Sequence, residues 1–276
     1  MFTFALILFF MKRFFAALLF FAVACNNNDN SNTTAEDNNN PAPPLINYQV
    51  VKIYPHDTSS YTQGLEWYNN FLYEGTGDYE HSKLLKTDIN TGEAVQKIKV
   101  SDNPKIFGEG ITILNNKIYQ LTWQNNKAFV YDLETFKKLQ EFDWPYEGWG
   151  LTNDGKSLIV STGTSNLYYV NPDNFKIEKT IGVTDNYGPV SDLNELEYVK
   201  GVVYANIYQR NIIVKINPET GKVEGRIDLS NIQEKNNVSY SNSENVLNGI
   251  AYDSAKNVFY VTGKLWPAVF EIRLNP

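Results

Sequence analysis

The sequence predicts an all-β fold, a five-bladed β-propeller whose last blade is closed by an N-terminal strand. The first observation behind this is a segment that recurs five times, opening at Gln63-Gly64-Leu65, Glu109-Gly110-Ile111, Trp149-Gly150-Leu151, Asn194-Glu195-Leu196 and Asn248-Gly249-Ile250. Counted from the second residue of each opening, the spacings are 46, 40, 45 and 54 residues, which are propeller-blade lengths. The second is the strand-like run that follows each opening: Phe71 to Gly77, Lys117 to Trp123, Ser157 to Gly163, Val202 to Tyr208 and Val258 to Lys264. The composition agrees, because 18 Tyr and 16 Phe suit a pleated, half-buried surface.

Within a unit four strands are predicted, clearest in the second: Gly110–Leu114, Lys117–Trp123, Ala128–Leu133 and Leu139–Asp143. Asn69-Asn70, Asn115-Asn116, Asp154-Gly155 and Lys200-Gly201 mark the first turn of successive units. Asn and Gly tolerate the positive φ that tight hairpins need. The fifth unit reaches only a third strand, Phe270 to Leu274, so its fourth must come from elsewhere. Tyr48 to Tyr54 is the one unassigned strand-like run, and pairing it there removes two exposed edges.

Three regions are expected: a signal peptide over 1–24, an Asn-rich tether over 25–46 and the propeller over 47–276. Lys12-Arg13 precede the apolar run Phe14 to Ala24, as in an export signal. Cys25, the only cysteine, follows Ala22-Val23-Ala24 in a pattern that resembles a bacterial lipobox. That resemblance implies cleavage before Cys25, lipid attachment to its sulfur, and a periplasmic or cell-surface protein that meets the membrane through the anchor only. A plain secreted protein is the other reading. A lone cysteine excludes intramolecular disulfides and Cys-based metal clusters. The net charge of −7, without a Lys/Arg-rich run, argues against nucleic acid as a partner. A monomer is expected, as for many closed propellers.

The first strand of each blade lines the channel, so Gln63, Glu109, Trp149, Asn194 and Asn248 should converge on one rim. Equivalent positions that carry a carboxylate, amides and an indole point to a site. Gly77, Trp123, Gly163, Tyr208 and Lys264, at the ends of the second strands, are equally unlike one another. Glu109 is the first candidate for catalysis, because Phe107, Trp123 and Trp149 would desolvate it and raise its pKa toward a useful range. Lys264 also reads as a solvated rim charge, Trp266-Pro267 as packing, and His56-Asp57 as a blade-closing turn. Glu195 and Glu197 read equally as groups that hydrogen-bond within the channel.

The chain resembles the plant-type glutaminyl-peptide cyclotransferases, whose bacterial members are often exported. The resemblance runs from Tyr54 to Leu274. It rests on Pro55-His56-Asp57, Tyr61-Thr62-Gln63-Gly64-Leu65, Phe107-Gly108-Glu109-Gly110, Gly148-Trp149-Gly150-Leu151, Leu193 to Val199, Val246 to Ala251 and Thr262 to Pro267. It implies cyclisation of an N-terminal glutamine of a peptide or protein to pyroglutamate, with loss of ammonia and without a cofactor. It further implies Glu109 as proton shuttle, with Gln63, Asn194 and Lys264 orienting the substrate amide and stabilising the oxyanion. Tyr61, Phe107, Trp123 and Trp149 would line the pocket, with Tyr208 and Asn248 also against substrate. Tyr208 departs from the Trp expected in plant relatives. His56 and His81 are the only histidines, too few for the His-rich zinc site of animal-type cyclotransferases. Two other functions are compatible with these residues. One is a binding propeller without chemistry. The other is a calcium-dependent propeller hydrolase using oxygens of Glu109, Glu195, Asn194 and Asn248.

Overall fold

A computed structural model describes residues 41–238 and 245–275. Five four-stranded antiparallel sheets succeed one another, accompanied by a two-residue ribbon, Thr184–Asp185 with Gly188–Pro189, and one helical turn, Ile232–Lys235. The inner strands of blades one to five are Tyr61–Tyr68, Gly108–Leu114, Leu151–Asn153, Leu193–Val199 and Leu247–Asp253. Blade five is completed by the N-terminal strand, Tyr48–Pro55, which pairs antiparallel with Ala268–Leu274 from Tyr48 opposite Leu274 to Pro55 opposite Ala268. The closure deduced by counting strands is the one observed.

The recurring glycine of the inner strands is a close-approach residue. A Cβ on Gly64 would lie 2.3 Å from Ile111 N, and one on Gly150 would lie 1.9 Å from Asn194 O. Inner strands therefore touch backbone to backbone around the channel. Blade four breaks the pattern with Glu195, whose carboxylate accepts from Leu65 N at 3.1 Å and from Ile250 N at 2.8 Å. Two residues further along the same strands, Glu66 accepts from Ile113 N and Glu197 from Tyr252 N. Neighbouring blades share no backbone ladder, and these side chains supply the missing acceptors.

The hairpin turns adopt the predicted conformation: Asn69, Asn70, Asn115 and Asn116 all have positive φ, as do Gly155, Lys200 and Gly201. In the turn before each outer strand, Gly92 and Gly221 donate their N–H to Asp88 and Asn217. Phe136 and Phe175 occupy the same position in blades two and three, at φ 57 and 56, donating to Asp132 and Asn171. A left-handed Phe costs roughly 1–2 kcal/mol. Burial offsets it here, because Phe136 packs on Tyr73 and Phe175 stacks on Phe142 beside Trp144.

Two sequence expectations change at their edges. The second strands of blades two to five end at Thr122, Ser161, Ile207 and Gly263, so Trp123, Gly163, Tyr208 and Lys264 open the loops on the rim. The tether expected over 25–46 loses its final residues to the propeller. Arg226 N donates to Pro44 O and Ile46 N donates to Arg226 O, laying 44–46 along the outer strand of blade four, Val223–Asp228. An outer strand offers free backbone groups, and Ile46 fills the space over Gly225. Residues 1–40, with the expected signal segment and Cys25, lie outside the described residues.

Candidate active site

The pairing of the inner and second strands shifts register at Thr62/Gly64, Gly108/Ile111 and Leu193/Leu196 in blades one, two and four, and at Leu247/Ile250 in blade five. A bulge re-aims the side chain it carries. These bulges span Gln63, Glu109, Asn194 and Asn248, and three of the four side chains enter one cavity of about 430 Å³. Gln63, Glu109, Asn194 and Lys264 line it together with Tyr61, Phe107, Trp123, Trp149 and Tyr208. Asn248 does not. It is fully buried, and its Nδ2 donates to Thr62 O at 2.9 Å and to Gln63 Oε1 at 3.2 Å, so it holds Gln63 from behind. The expected contact between Asn248 and substrate is thereby corrected: the inner strand of blade five carries it one layer behind the cavity wall.

Both ends of the Gln63 amide are engaged. Its Nε2 donates to Glu109 Oε1 at 2.9 Å, and its Oε1 accepts from Lys264 Nζ as well as from Asn248. Lys264 is 2% exposed, which rules out a solvated rim charge; its ammonium lies 4.2 Å from the Tyr61 ring centroid and 5.5 Å from that of Tyr208. Burial pushes the Glu109 carboxyl well above the usual carboxylate range, Lys264 works against that shift and Glu147 adds to it. Burial also pulls the Lys264 ammonium down to about 8, against the pull of Glu109. Asn194 lines the cavity, and its Oδ1 is buried with no hydrogen-bond partner among the described residues.

The aromatic walls are built from glycine. A Cβ on Gly77 would lie 2.2 Å from the Phe107 ring, and one on Gly163 would lie 2.7 Å from the Trp149 indole. Thus the end-of-strand glycines of blades one and three are the seats of rings, Phe107 from the start of blade two over Gly77 and Trp149 from the start of blade three itself over Gly163. Phe107 meets Tyr61 and Trp123 edge to face, and Trp149 meets Tyr208 in the same way, with centroids 5.4 Å apart.

A family model described as glutamine cyclotransferase matches residues 18–274. The chain belongs to that family. It is 41% identical over 229 residues to the glutaminyl-peptide cyclotransferase of Arabidopsis thaliana, covering 82% of this chain and 71% of that protein. It also superimposes on the crystal structure of Myxococcus xanthus glutaminyl cyclase with a TM-score of 0.78 and 33% identity, over 84% of this chain and 98% of that one.

Sequence reasoning missed Glu147. This carboxylate accepts from Trp123 Nε1 at 2.8 Å, Trp149 Nε1 at 3.0 Å and Gln124 Nε2 at 2.9 Å, fixing two walls of the cyclotransferase cavity at once. It lies in a loop between blades two and three, out of register with the repeat; the only signal was an acid two residues before a Trp. Ser59, Asp78 and Leu265, also in the lining, carry no repeat signal. Other single-residue readings hold. Trp266 is a packing residue against Phe270, with its Nε1 donating to Asn245 O, and His56 joins the last blade to the first. Both oxygens of Glu195 are occupied by backbone N–H groups, as the channel-bonding reading expects, which leaves the calcium alternative without that ligand.

Proposed function

We propose that this protein cyclises an N-terminal glutamine of a peptide or protein to pyroglutamate and releases ammonia. One observation carries the reading in the structure: a buried carboxyl and a buried ammonium joined through one amide at an aromatic-walled cavity. Membership of the cyclotransferase family supports the same chemistry.

The α-amine of the substrate attacks its own side-chain carbonyl carbon. The new C–N bond forms the lactam, and the bond to the amide nitrogen breaks. One proton must leave the attacking nitrogen and one must reach the departing nitrogen. Glu109, with its pKa raised by burial, takes the first and returns it as the second, so that ammonia leaves and the carboxylate is regenerated. Lys264 faces the oxyanion that develops on the carbonyl oxygen; Gln63 holds Glu109 and Lys264 in fixed relation. Asn194, in the cavity wall, orients the substrate amide by donating a hydrogen bond, as the resemblance implies. Because the reaction is intramolecular, the rings of Tyr61, Phe107, Trp123, Trp149 and Tyr208 contribute by folding the side chain toward the amine.

The export signal ending at Ala24 and the lipobox-like Cys25 support an exported, lipid-anchored protein. In that case Cys25→Ala moves the protein from the membrane to the soluble fraction; unchanged partition removes the anchor. For the activity, a short Gln-first peptide is incubated in EDTA with wild type and with Glu109→Gln, and ammonia and pyroglutamyl product are measured. Turnover by wild type and a loss of roughly 10²–10⁴ in the folded variant support the mechanism. Equal turnover by both overturns the role of Glu109.

A further inference from the structure

Of the residues lining the cavity, only Ser59 and Asp78 are exposed, so the cavity opens to solvent beside them. Any chain attached to a glutamine seated against Glu109 must leave by that opening. A row of rings leads the same way: Trp123 to Phe107 at 5.6 Å, then Phe107 to Tyr79 at 5.3 Å, where Tyr79 is 48% exposed. The turn that carries Asp78 and Tyr79 is built into the site. Ser82 Oγ donates to Asp78 O and accepts from Gly108 N, the residue before Glu109. Asp78 itself is held at φ 139, a conformation that costs a non-glycine residue energy and is found where surrounding structure enforces it.

The charges at the opening are mostly acidic. Asp78 lines it and Asp57, which accepts from Ser59, stands beside it against Lys83, and Lys83 is already engaged by Asp57 at 4.0 Å and by Ser59 Oγ at 3.2 Å. His81 lies 3.8 Å from Asp78, both being well exposed. Among the described residues the Asp78 carboxylate thus stands at the exit with no lysine or arginine paired to it. A carboxylate beside an exposed phenol ring is the chemistry that receives a long cationic side chain, whose stem lies on the ring while its head reaches the acid.

We infer that Asp78 and Tyr79 form the subsite for the residue that follows the N-terminal glutamine, and that they favour lysine or arginine there. The inference rests on the cyclase reading above and adds a specificity to it. Lysine at the second position places its ammonium at Asp78 and its methylenes on Tyr79. Glutamate at that position meets Asp78 and Asp57 with like charge.

The test uses amidated peptides Gln-Xaa-Ala-Ala, with Xaa lysine, norleucine or glutamate, competed against one another and followed by mass spectrometry. Wild type should prefer lysine over norleucine by about three- to tenfold in kcat/KM at low salt, the scale of one partly exposed ion pair, and the preference should shrink in 0.5 M salt, roughly as screening predicts. Asp78→Asn, the neutral change of the same shape, should bring the ratio close to one, and Asp78→Lys should invert it. Tyr79→Leu should weaken the lysine preference less than Asp78→Asn does. A wild-type ratio near one, or a ratio untouched by Asp78→Asn, overturns the subsite. Absence of turnover on every peptide is the distinct failure of the cyclase reading, and this inference falls with it.

Discussion

The side-chain amide of Gln63 donates to Glu109 at 2.9 Å while its oxygen accepts from the Lys264 ammonium, so an acid and a base that do not touch are held by one residue. Each shifts the other. The positive charge of Lys264 restrains the upward push that burial exerts on Glu109, and Glu109 restrains the downward pull on Lys264.

A pH prediction follows from the signs. Activity needs Glu109 ionised and Lys264 protonated, so kcat/KM should rise as Glu109 deprotonates and fall as Lys264 loses its proton near 8. Lys264→Met removes the charge that lowers the Glu109 pKa, so its acid limb should move to higher pH with kcat reduced by about 10²-fold, as for loss of one oxyanion stabiliser. Lys264→Arg keeps a charge that does not titrate and should lose the alkaline limb set by Lys264. An acid limb unmoved in Lys264→Met would show that the two groups are not coupled.

The repeat openings were legible because the ring brings one position of every blade to one rim, where Gly64, Gly110 and Gly150 let backbones touch and the residues before them face the cavity. The tight turns were legible because Asn and Gly announce positive φ. What the sequence did not show is the left-handed conformation of Phe136 and Phe175 in the outer turns of blades two and three: their local preference opposes it, and only packing across the blade overrides that preference. Asn248 sits in register with Gln63 and Glu109, yet the sequence could not show that it bonds to Gln63 instead of facing the cavity. Glu147 was invisible because a loop, whose length follows no repeat, delivers it to two tryptophans.

Glu147 should govern substrate affinity. Burial works to raise its carboxyl, but hydrogen bonds from Gln124, Trp149 and Trp123 prevail and hold it below the usual glutamate range. The stability these bonds give is present above the unfolded-state pKa of about 4.5 and is lost as pH falls through the lower folded value. Glu147→Gln should raise KM several-fold with a smaller change in kcat, since the walls move and the Glu109 network stays. Tryptophan emission of the wild type should shift as the carboxyl protonates in acid, and the emission of the variant should not. Identical KM values in the two proteins would remove Glu147 from the positioning of the indoles.

The ring closure carries its own pH signature at His56. Its side chain is 4% exposed, with Nδ1 2.7 Å from Trp266 O in blade five and Nε2 3.3 Å from Glu74 Oε1 in blade one. Burial lowers the imidazole pKa, but Glu74, the Trp266 carbonyl and Asp57 together raise it above 6.5. Glu74 is also fixed by Thr62 Oγ1 at 2.7 Å, on the strand that bears Gln63, so the closing contact and the catalytic floor share a support. A histidine whose folded pKa is raised contributes stability that is fully present below the unfolded value and lost as pH rises through the folded one. The melting temperature should therefore fall between pH 6 and pH 9 in wild type and fall less in His56→Gln, which keeps a donor toward Glu74 without the charge. Parallel melting curves would mean that the His56 charge does not support closure. A steeper fall confined to the wild type would place the seam between first and last blade as the titrating element of the ring.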